Sequence, residues 1–312
     1  MAPSILESYL TTIPCPLCGS SSYKTVRPAA YTSDITVEAF RNAFRSSSDH
    51  VLLDQLVRCD SCSLVYINPR VSEEILLSGY SSAVDPEFVA QNPERIQTFT
   101  KMLQGILRRL KIPAASGLKI LDVGCAGGAF LVAARDCGLR PVGIEPSHWM
   151  VEYGRTNYGL DVRQGILEAG TFPKESFDLV SLWDVIEHVT DPRGLLSTIR
   201  SVLKPGGTLI VNYPDYGSWA ARLLGSKWPF LLSVHLLYYT RTTMRDQLRR
   251  AGFEVQYVRP HFQTLPVGYV LTRATPYIGL AAPVRKMAEA LGVASVPLRY
   301  NMGQTLVVAR NC

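Results

Sequence analysis

No run of about 18 uninterrupted apolar residues, the length a membrane-spanning helix needs, occurs in this 312-residue chain. The amino terminus has no basic segment followed by an apolar one, so a secretion signal is not expected either. Strong charge is missing too. The formal net charge is only +6, and Lys and Arg lie scattered rather than in the stripe a nucleic-acid surface requires. Arg241 to Arg250, with four arginines, is the one concentration, and it reads as the solvated face of a helix. Internal repeats and low-complexity tracts are absent, which excludes solenoid and disordered architectures. At 47% hydrophobic and 19% charged residues, the chain is expected to bury a sizeable core and to be cytoplasmic, with peripheral rather than spanning contact to any membrane.

A dinucleotide fingerprint is also lacking. Counting from Gly124, its third and sixth positions hold Ala126 and Ala129 instead of glycine. What stands there is Lys-Ile-Leu-Asp-Val-Gly-Cys-Ala-Gly-Gly-Ala, residues 119 to 129. Ile120, Leu121 and Val123 make a short buried strand, and Asp122 sits near its carboxyl end. Gly124, Gly127 and Gly128 let backbone approach a ligand where a Cβ would clash, and a helix starts near Ala129. Pro141 to Ile144 forms a second apolar run ending in Glu145, 23 positions after Asp122, where a carboxylate can accept hydrogen bonds from two ribose hydroxyls. A fourth strand is expected at Phe177 to Asp184 and a fifth at Thr208 to Val211 after the turn Lys204 to Gly207. Thr243 to Ala251 reads as a helix, Phe253 to Val258 as the sixth strand and Gln304 to Ala309 as the seventh.

These stations resemble the class I S-adenosylmethionine-dependent methyltransferases, whose first motif is acidic-x-Gly-x-Gly-x-Gly, with Ala126 in the place of its middle glycine. The resemblance implies an α/β fold with a seven-stranded Rossmann-like sheet and an S-adenosylmethionine site formed by Asp122, Gly124, Cys125, Gly128, Glu145, Pro146, Ile166, Leu167 and Asp184. The family's adenine-contacting aspartate is replaced by Gly165-Ile166-Leu167, so adenine would be held by backbone amides and apolar contact.

Cys15-Pro-Leu-Cys18 and Cys59-Asp-Ser-Cys62 form two Cys-x-x-Cys knuckles, each able to fill two corners of a tetrahedral zinc site. Redox-active dithiols are the rival reading; Cys125, Cys137 and Cys312 are expected unpaired, as in a reducing compartment. Four thiolates close the coordination, so the zinc would be structural and would supply what so small a segment cannot bury. Between the knuckles a helix is expected near Val37 to Arg45. This layout is similar to methyltransferases of sugar and polysaccharide pathways. It divides the chain into a zinc module at 1–75, a linker helix region at 76–115 and the cofactor domain at 116–312, with an aromatic lid at 213–241 and a cap at 260–302.

Methyl transfer is an in-line displacement that needs alignment and, for a hydroxyl or carbon acid, removal of a proton. His188 follows the fourth strand, where open α/β sheets place ligands; His235 comes from the lid. Both are candidate bases, with Tyr213 and Tyr239 behind them. Asp184, Glu187, His188 and His235 also look like a divalent-cation set of small-RNA and quinone-pathway O-methyltransferases. The expected activity is therefore O- or C-methylation of a small-molecule or glycan-intermediate acceptor. An RNA methyltransferase that binds RNA through its zinc module, a catalytically silent scaffold and a nicotinamide-dependent oxidoreductase remain alternatives.

Overall fold

The computed structural model describes residues 10–31, 52–73, 76, 81, 84–113, 117–275 and 279–312. The helix expected near Val37 to Arg45 lies outside the described residues. At the amino end, β1 (Leu10–Thr11) pairs with β5 (Arg70–Val71). Between them, β2 (Tyr23–Arg27), β3 (Leu56–Cys59) and β4 (Val65–Ile67) form an antiparallel sheet; the Cys59–Cys62 knuckle lies between β3 and β4, and the Cys15–Cys18 knuckle lies ahead of β2. Val65, Tyr66 and Ile67 are all buried, so this strand is covered on both faces.

The linker region is helical, but in two pieces. Short α1 (Pro86–Val89) is capped by Asp85, whose carboxylate accepts from the Phe88 amide at 2.8 Å. Long α2 (Asn92–Arg109) then restarts around Pro93, whose missing N–H costs nothing in a first turn. Met102, Leu103, Ile106 and Leu107 bury one face of α2 against the main sheet.

That sheet contains β6 (Lys119–Val123), β7 (Arg140–Glu145), β8 (Val162–Gln164), β9 (Phe177–Trp183), β10 (Leu203–Pro214), β12 (Phe253–Pro260) and β15 (Gln304–Asn311). Its order is β12-β15-β10-β9-β6-β7-β8, with β15 antiparallel to both neighbours. The central strands are near-continuous apolar runs because helices cover both faces: α3 (Ala129–Asp136), α4 (His148–Tyr158), α5 (Pro192–Val202) and α7 (Arg241–Arg250) follow them along the chain. The order reverses between β6 and β9, and the carboxyl ends there frame a crevice. This is the expected α/β fold with a seven-stranded Rossmann-like sheet.

The segments expected to form a lid (213–241) and a cap (260–302) have structure of their own. Within the lid, α6 (Trp219–Leu224) precedes β11 (Leu237–Tyr238), which pairs antiparallel with β4 and so becomes the fourth strand of the amino-terminal sheet. The cap is a hairpin of β13 (Gln263–Pro266) and β14 (Pro297–Tyr300) that carries α8 (Val267–Ala274) and α9 (Ala281–Ala290). One buried apolar cluster joins Leu17, Leu52 and Tyr66 of the amino-terminal sheet to Leu121, Leu182 and Val211 of the main sheet. Each such residue contributes about 1.5–3 kcal/mol when fully buried, so this shared core is a major part of the stability.

Candidate active site

The turn after β6 has a left-handed backbone at Gly124 (φ 69°), Ala126 (φ 45°) and Gly128 (φ 84°). A Cβ on Gly128 would lie 2.3 Å from Leu160 Cδ1, and one on Gly124 2.7 Å from Val185 Cγ2. Ala126 accepts the left-handed strain, about 1–2 kcal/mol for a residue with a side chain, and its amide donates to Glu145 Oε2 at 2.9 Å. The Ser147 amide donates to Glu145 Oε1 at 2.9 Å. Burial pushes the Glu145 carboxyl up while these two amides pull it back, and the carboxylate is fixed from behind with its other lone pairs free to face a ligand.

A cavity of about 720 Å³ opens beside this turn. Of the residues expected at the cofactor site, Gly124, Glu145, Pro146, Ile166, Leu167 and Asp184 line it, and Ala126 does so too. Asp122, Cys125 and Gly128 stand behind the wall. Asp122 is buried and accepts from Ser181 Oγ at 2.6 Å, and burial raises its carboxyl well above the usual range. Its place is between strands, where it ties β6 to β9. Glu73 and Leu76 from the amino-terminal segment complete the wall on the α5 side together with Thr190, Asp191 and Leu195. Arg70 Nη1 donates to the Thr190 carbonyl at 3.0 Å, and Thr190 Oγ1 donates to Glu73 at 2.9 Å.

Asp184 has a left-handed backbone, φ 53°. Asn212 Nδ2 donates to its Oδ1 at 2.8 Å, and Gln304 Nε2 to both oxygens at 2.9 Å. Burial raises this carboxyl to about 6, with the Arg95 charge and the amide donors opposing. Neither Asn212 nor Gln304 was expected at the site. The only sequence signal of Asn212 is a polar residue inside an otherwise apolar strand run, and Gln304 is the first residue of its strand.

Of the three candidate catalytic residues, His188 alone lines the cavity. Its Nδ1 lies 2.8 Å from the Val234 carbonyl and must donate there, which fixes Nε2 as the basic nitrogen. Burial lowers the imidazole to about 4, so the ring is neutral at ordinary pH. His235 is buried behind it. Its Nδ1 donates to the Phe230 carbonyl at 2.8 Å, and the two imidazole centroids are 4.7 Å apart in an edge-on arrangement. Tyr213 is fully buried against Tyr239, ring centroids 6.1 Å apart, and does not reach the cavity. His235 is carried into the core by the segment between β10 and β11, and Tyr213 is buried by its place on β10, opposite Thr305.

The expected cation set divides in the same way. Ligand atoms of Glu187, His188 and His235 lie within 4.8 Å of one another, whereas Asp184 is committed to Asn212 and Gln304. Glu187 is 1% exposed, and both its carboxylate oxygens are buried without a hydrogen-bond partner among the described residues.

The sulfurs of Cys15, Cys18, Cys59 and Cys62 also lie within 4.8 Å of one another. The Cys15–Cys62 and Cys18–Cys59 separations are 3.5 Å. That is far from a disulfide bond of about 2.05 Å and near the roughly 3.8 Å between corners of a tetrahedron with Zn–S bonds of about 2.3 Å. The donor set fits a closed zinc site.

Residues 94–258 match the family model described as a methyltransferase domain. The chain is similar to ubiquinone biosynthesis O-methyltransferases. That of Ruegeria pomeroyi is 30% identical over 178 residues, which cover 52% of this chain and 71% of the relative. That of Cereibacter sphaeroides is 28% identical over 177 residues, covering 52% and 72%. A solved Thermotoga maritima structure, described as an S-adenosylmethionine-dependent methyltransferase and possible histamine N-methyltransferase, is 20% identical with a TM-score of 0.46, covering 71% of this chain and 90% of its own.

Proposed function

Because the chain belongs to the S-adenosylmethionine-dependent methyltransferases whose domain its residues 94–258 match, we propose that it methylates a hydroxyl oxygen of a small-molecule acceptor at the His188 end of the cavity. Oxygen is favoured over carbon by the O-methyltransferase relatives. An acceptor that is free or sugar-linked suits a cavity of this size, shared with the donor.

S-Adenosylmethionine, when bound, supplies an electrophilic methyl group on a sulfonium. Glu145, its orientation fixed by the Ala126 and Ser147 amides, would accept hydrogen bonds from the ribose hydroxyls. Pro146, Ile166 and Leu167 offer an apolar slot for the adenine, and Glu145 and Asp184 put acidic side chains beside a cationic donor. Asp122, Cys125 and Gly128 hold the turn in shape. His188 takes the acceptor proton at Nε2, and His235 acts as a positioning residue through its ring contact. The observation that supports this most directly is a neutral imidazole lining the same cavity as Glu145 and Asp184. Cys15, Cys18, Cys59 and Cys62 would hold a structural zinc with no open position and no part in the chemistry.

The two unpartnered oxygens of Glu187 favour a second reading, in which Glu187, His188 and His235 hold a divalent cation that polarises the acceptor hydroxyl. Transfer of labelled methyl from S-adenosylmethionine to a panel of phenolic and sugar hydroxyls identifies the acceptor. With it, His188→Asn is expected to lower kcat by about 10²–10⁴ while leaving cofactor affinity by calorimetry unchanged. Wild-type turnover in that variant would discard the base. Turnover lost on chelation and restored by Mn²⁺ in the wild type, but not in Glu187→Gln, would select the cation.

A further inference from the structure

Large apolar side chains stand exposed on two helices at the cap and lid. On α9 and its caps, Leu280, Val284, Met287 and Leu291 are 72%, 40%, 58% and 69% exposed. Spacings of four, three and four residues put them within an arc of roughly 60° on the helix. On α6, Trp219 and Leu223, one turn apart, are 66% and 75% exposed. A cleft of about 330 Å³ adjoins the α6 stripe, walled by Trp219, Arg241, Phe262 and Arg299. The β13–β14 hairpin, with Thr264 opposite Arg299 and Leu265 opposite Leu298, joins that cleft to the cap, and the Gly268 amide donates to the Ala294 carbonyl just past α9.

The charge on these segments is one-sided. Residues 219–227 and 262–299 contain Arg222, Lys227, Arg273, Arg285, Lys286 and Arg299 against a single acid, Glu289. Arg285 spends itself on Glu289 at 3.1 Å, and Arg299 lies 4.7 Å over the Phe262 ring without an ion pair among the described residues.

We propose that this face docks on a bilayer surface containing anionic lipid, with headgroups in the Arg299 cleft and the α9 and α6 stripes in the interfacial layer. An apolar stripe flanked by cations, with an exposed Trp at its margin, is what an interfacial helix presents. Among the described residues no helix is long and apolar enough to cross a membrane, so the contact is lateral. A second copy of the chain is the wrong occupant: a two-fold interface would set this cationic patch against itself. Nucleic acid would answer the cations but leave the apolar stripes in water. The docking face borders the cofactor cavity through Gln304, which lines the cleft and donates to Asp184. The proposal does not depend on which acceptor the enzyme uses.

The test is flotation of the purified full chain with phosphatidylcholine vesicles, with and without phosphatidylglycerol. The wild type is expected to float with the anionic vesicles and to be released by salt. Met287→Glu should weaken binding about tenfold by removing apolar contact. Arg299→Ala should weaken it about fivefold, and only on anionic vesicles. Both variants should keep wild-type cofactor affinity, which separates loss of docking from loss of folding. The proposal fails if the wild type does not float, if it binds neutral and anionic vesicles equally, or if Met287→Glu floats undiminished. It fails equally if vesicles are ignored while poly(U) binds, or while sedimentation velocity shows a dimer that Met287→Glu dissociates.

Discussion

Asp184 is held by Asn212 and Gln304, residues 28 and 120 positions away in the chain. Its position at the end of an apolar strand is legible in the sequence, as are those of Gly124 and Glu145, because each follows a short apolar run; Ile166 and Leu167 follow the polar stretch Arg163-Gln164-Gly165 and were expected from the resemblance alone. The donors that orient it are not legible, since strand neighbours in a sheet need have no sequence proximity. His235 shows the same limit: an aromatic-rich segment announces itself, but which of its polar groups meets the cavity depends on how it packs, whereas Tyr213 is buried as part of β10. His261 allows a direct test of burial at this scale. It is held down to about 4 by burial and the Arg259 charge, against about 6.5 in an unfolded chain. Between these values the unfolded state takes up a proton the folded state refuses, so stability is intact above about pH 6.5 and is lost as pH falls toward 4. The urea midpoint of the wild type should therefore drop more between pH 7 and pH 5 than that of His261→Asn.

At the scale of elements, the strands of the main sheet were readable because apolar runs alternate with glycine and acidic stops; the linker's division into α1 and α2 at Pro93 was not expected. The membership of β11 in the amino-terminal sheet was not. Two residues, Leu237 and Tyr238, pair with Tyr66 and Val65, too short a strand to leave a pattern. Flanking bonds reinforce the pairing: the Ile67 amide donates to Leu236 and the Leu52 amide to Leu231. The lid loop bearing His235 is thus pinned to strands that start and end at the cysteine knuckles. Cys59→Ser is expected to lose bound zinc, measured by elemental analysis, and to lower the melting temperature by roughly 5–10 °C. It should also change the near-ultraviolet circular dichroism of Trp228, Tyr238 and Tyr239, which sit in the lid packed by that sheet.

In the molecule as a whole, a boundary near residue 75, natural from composition and motif, runs through a continuous core. Leu17, Leu52, Leu56 and Leu64 are essentially fully buried and share a cluster with Leu182 and Val211. At about 1.5–3 kcal/mol each, these four leucines alone rival the 5–15 kcal/mol net stability of a folded domain. A chain starting at residue 73 is therefore expected to aggregate on gel filtration and to show no saturable S-adenosylmethionine binding by calorimetry. A soluble, cofactor-binding fragment would show that the amino-terminal sheet is an appendage.

The β4–β11 pairing also sets a timetable for synthesis. About 170 residues separate Tyr66 from Leu237, so at roughly 5–20 residues per second the ribosome takes about 10–30 s to deliver the missing strand. During that interval the outer edge of β4, an apolar strand with unpaired amides and carbonyls, is open to any other strand that arrives. Nascent chains are most exposed to mispairing while β6 to β10 are being made, and co-translational chaperones have their clearest point of action there.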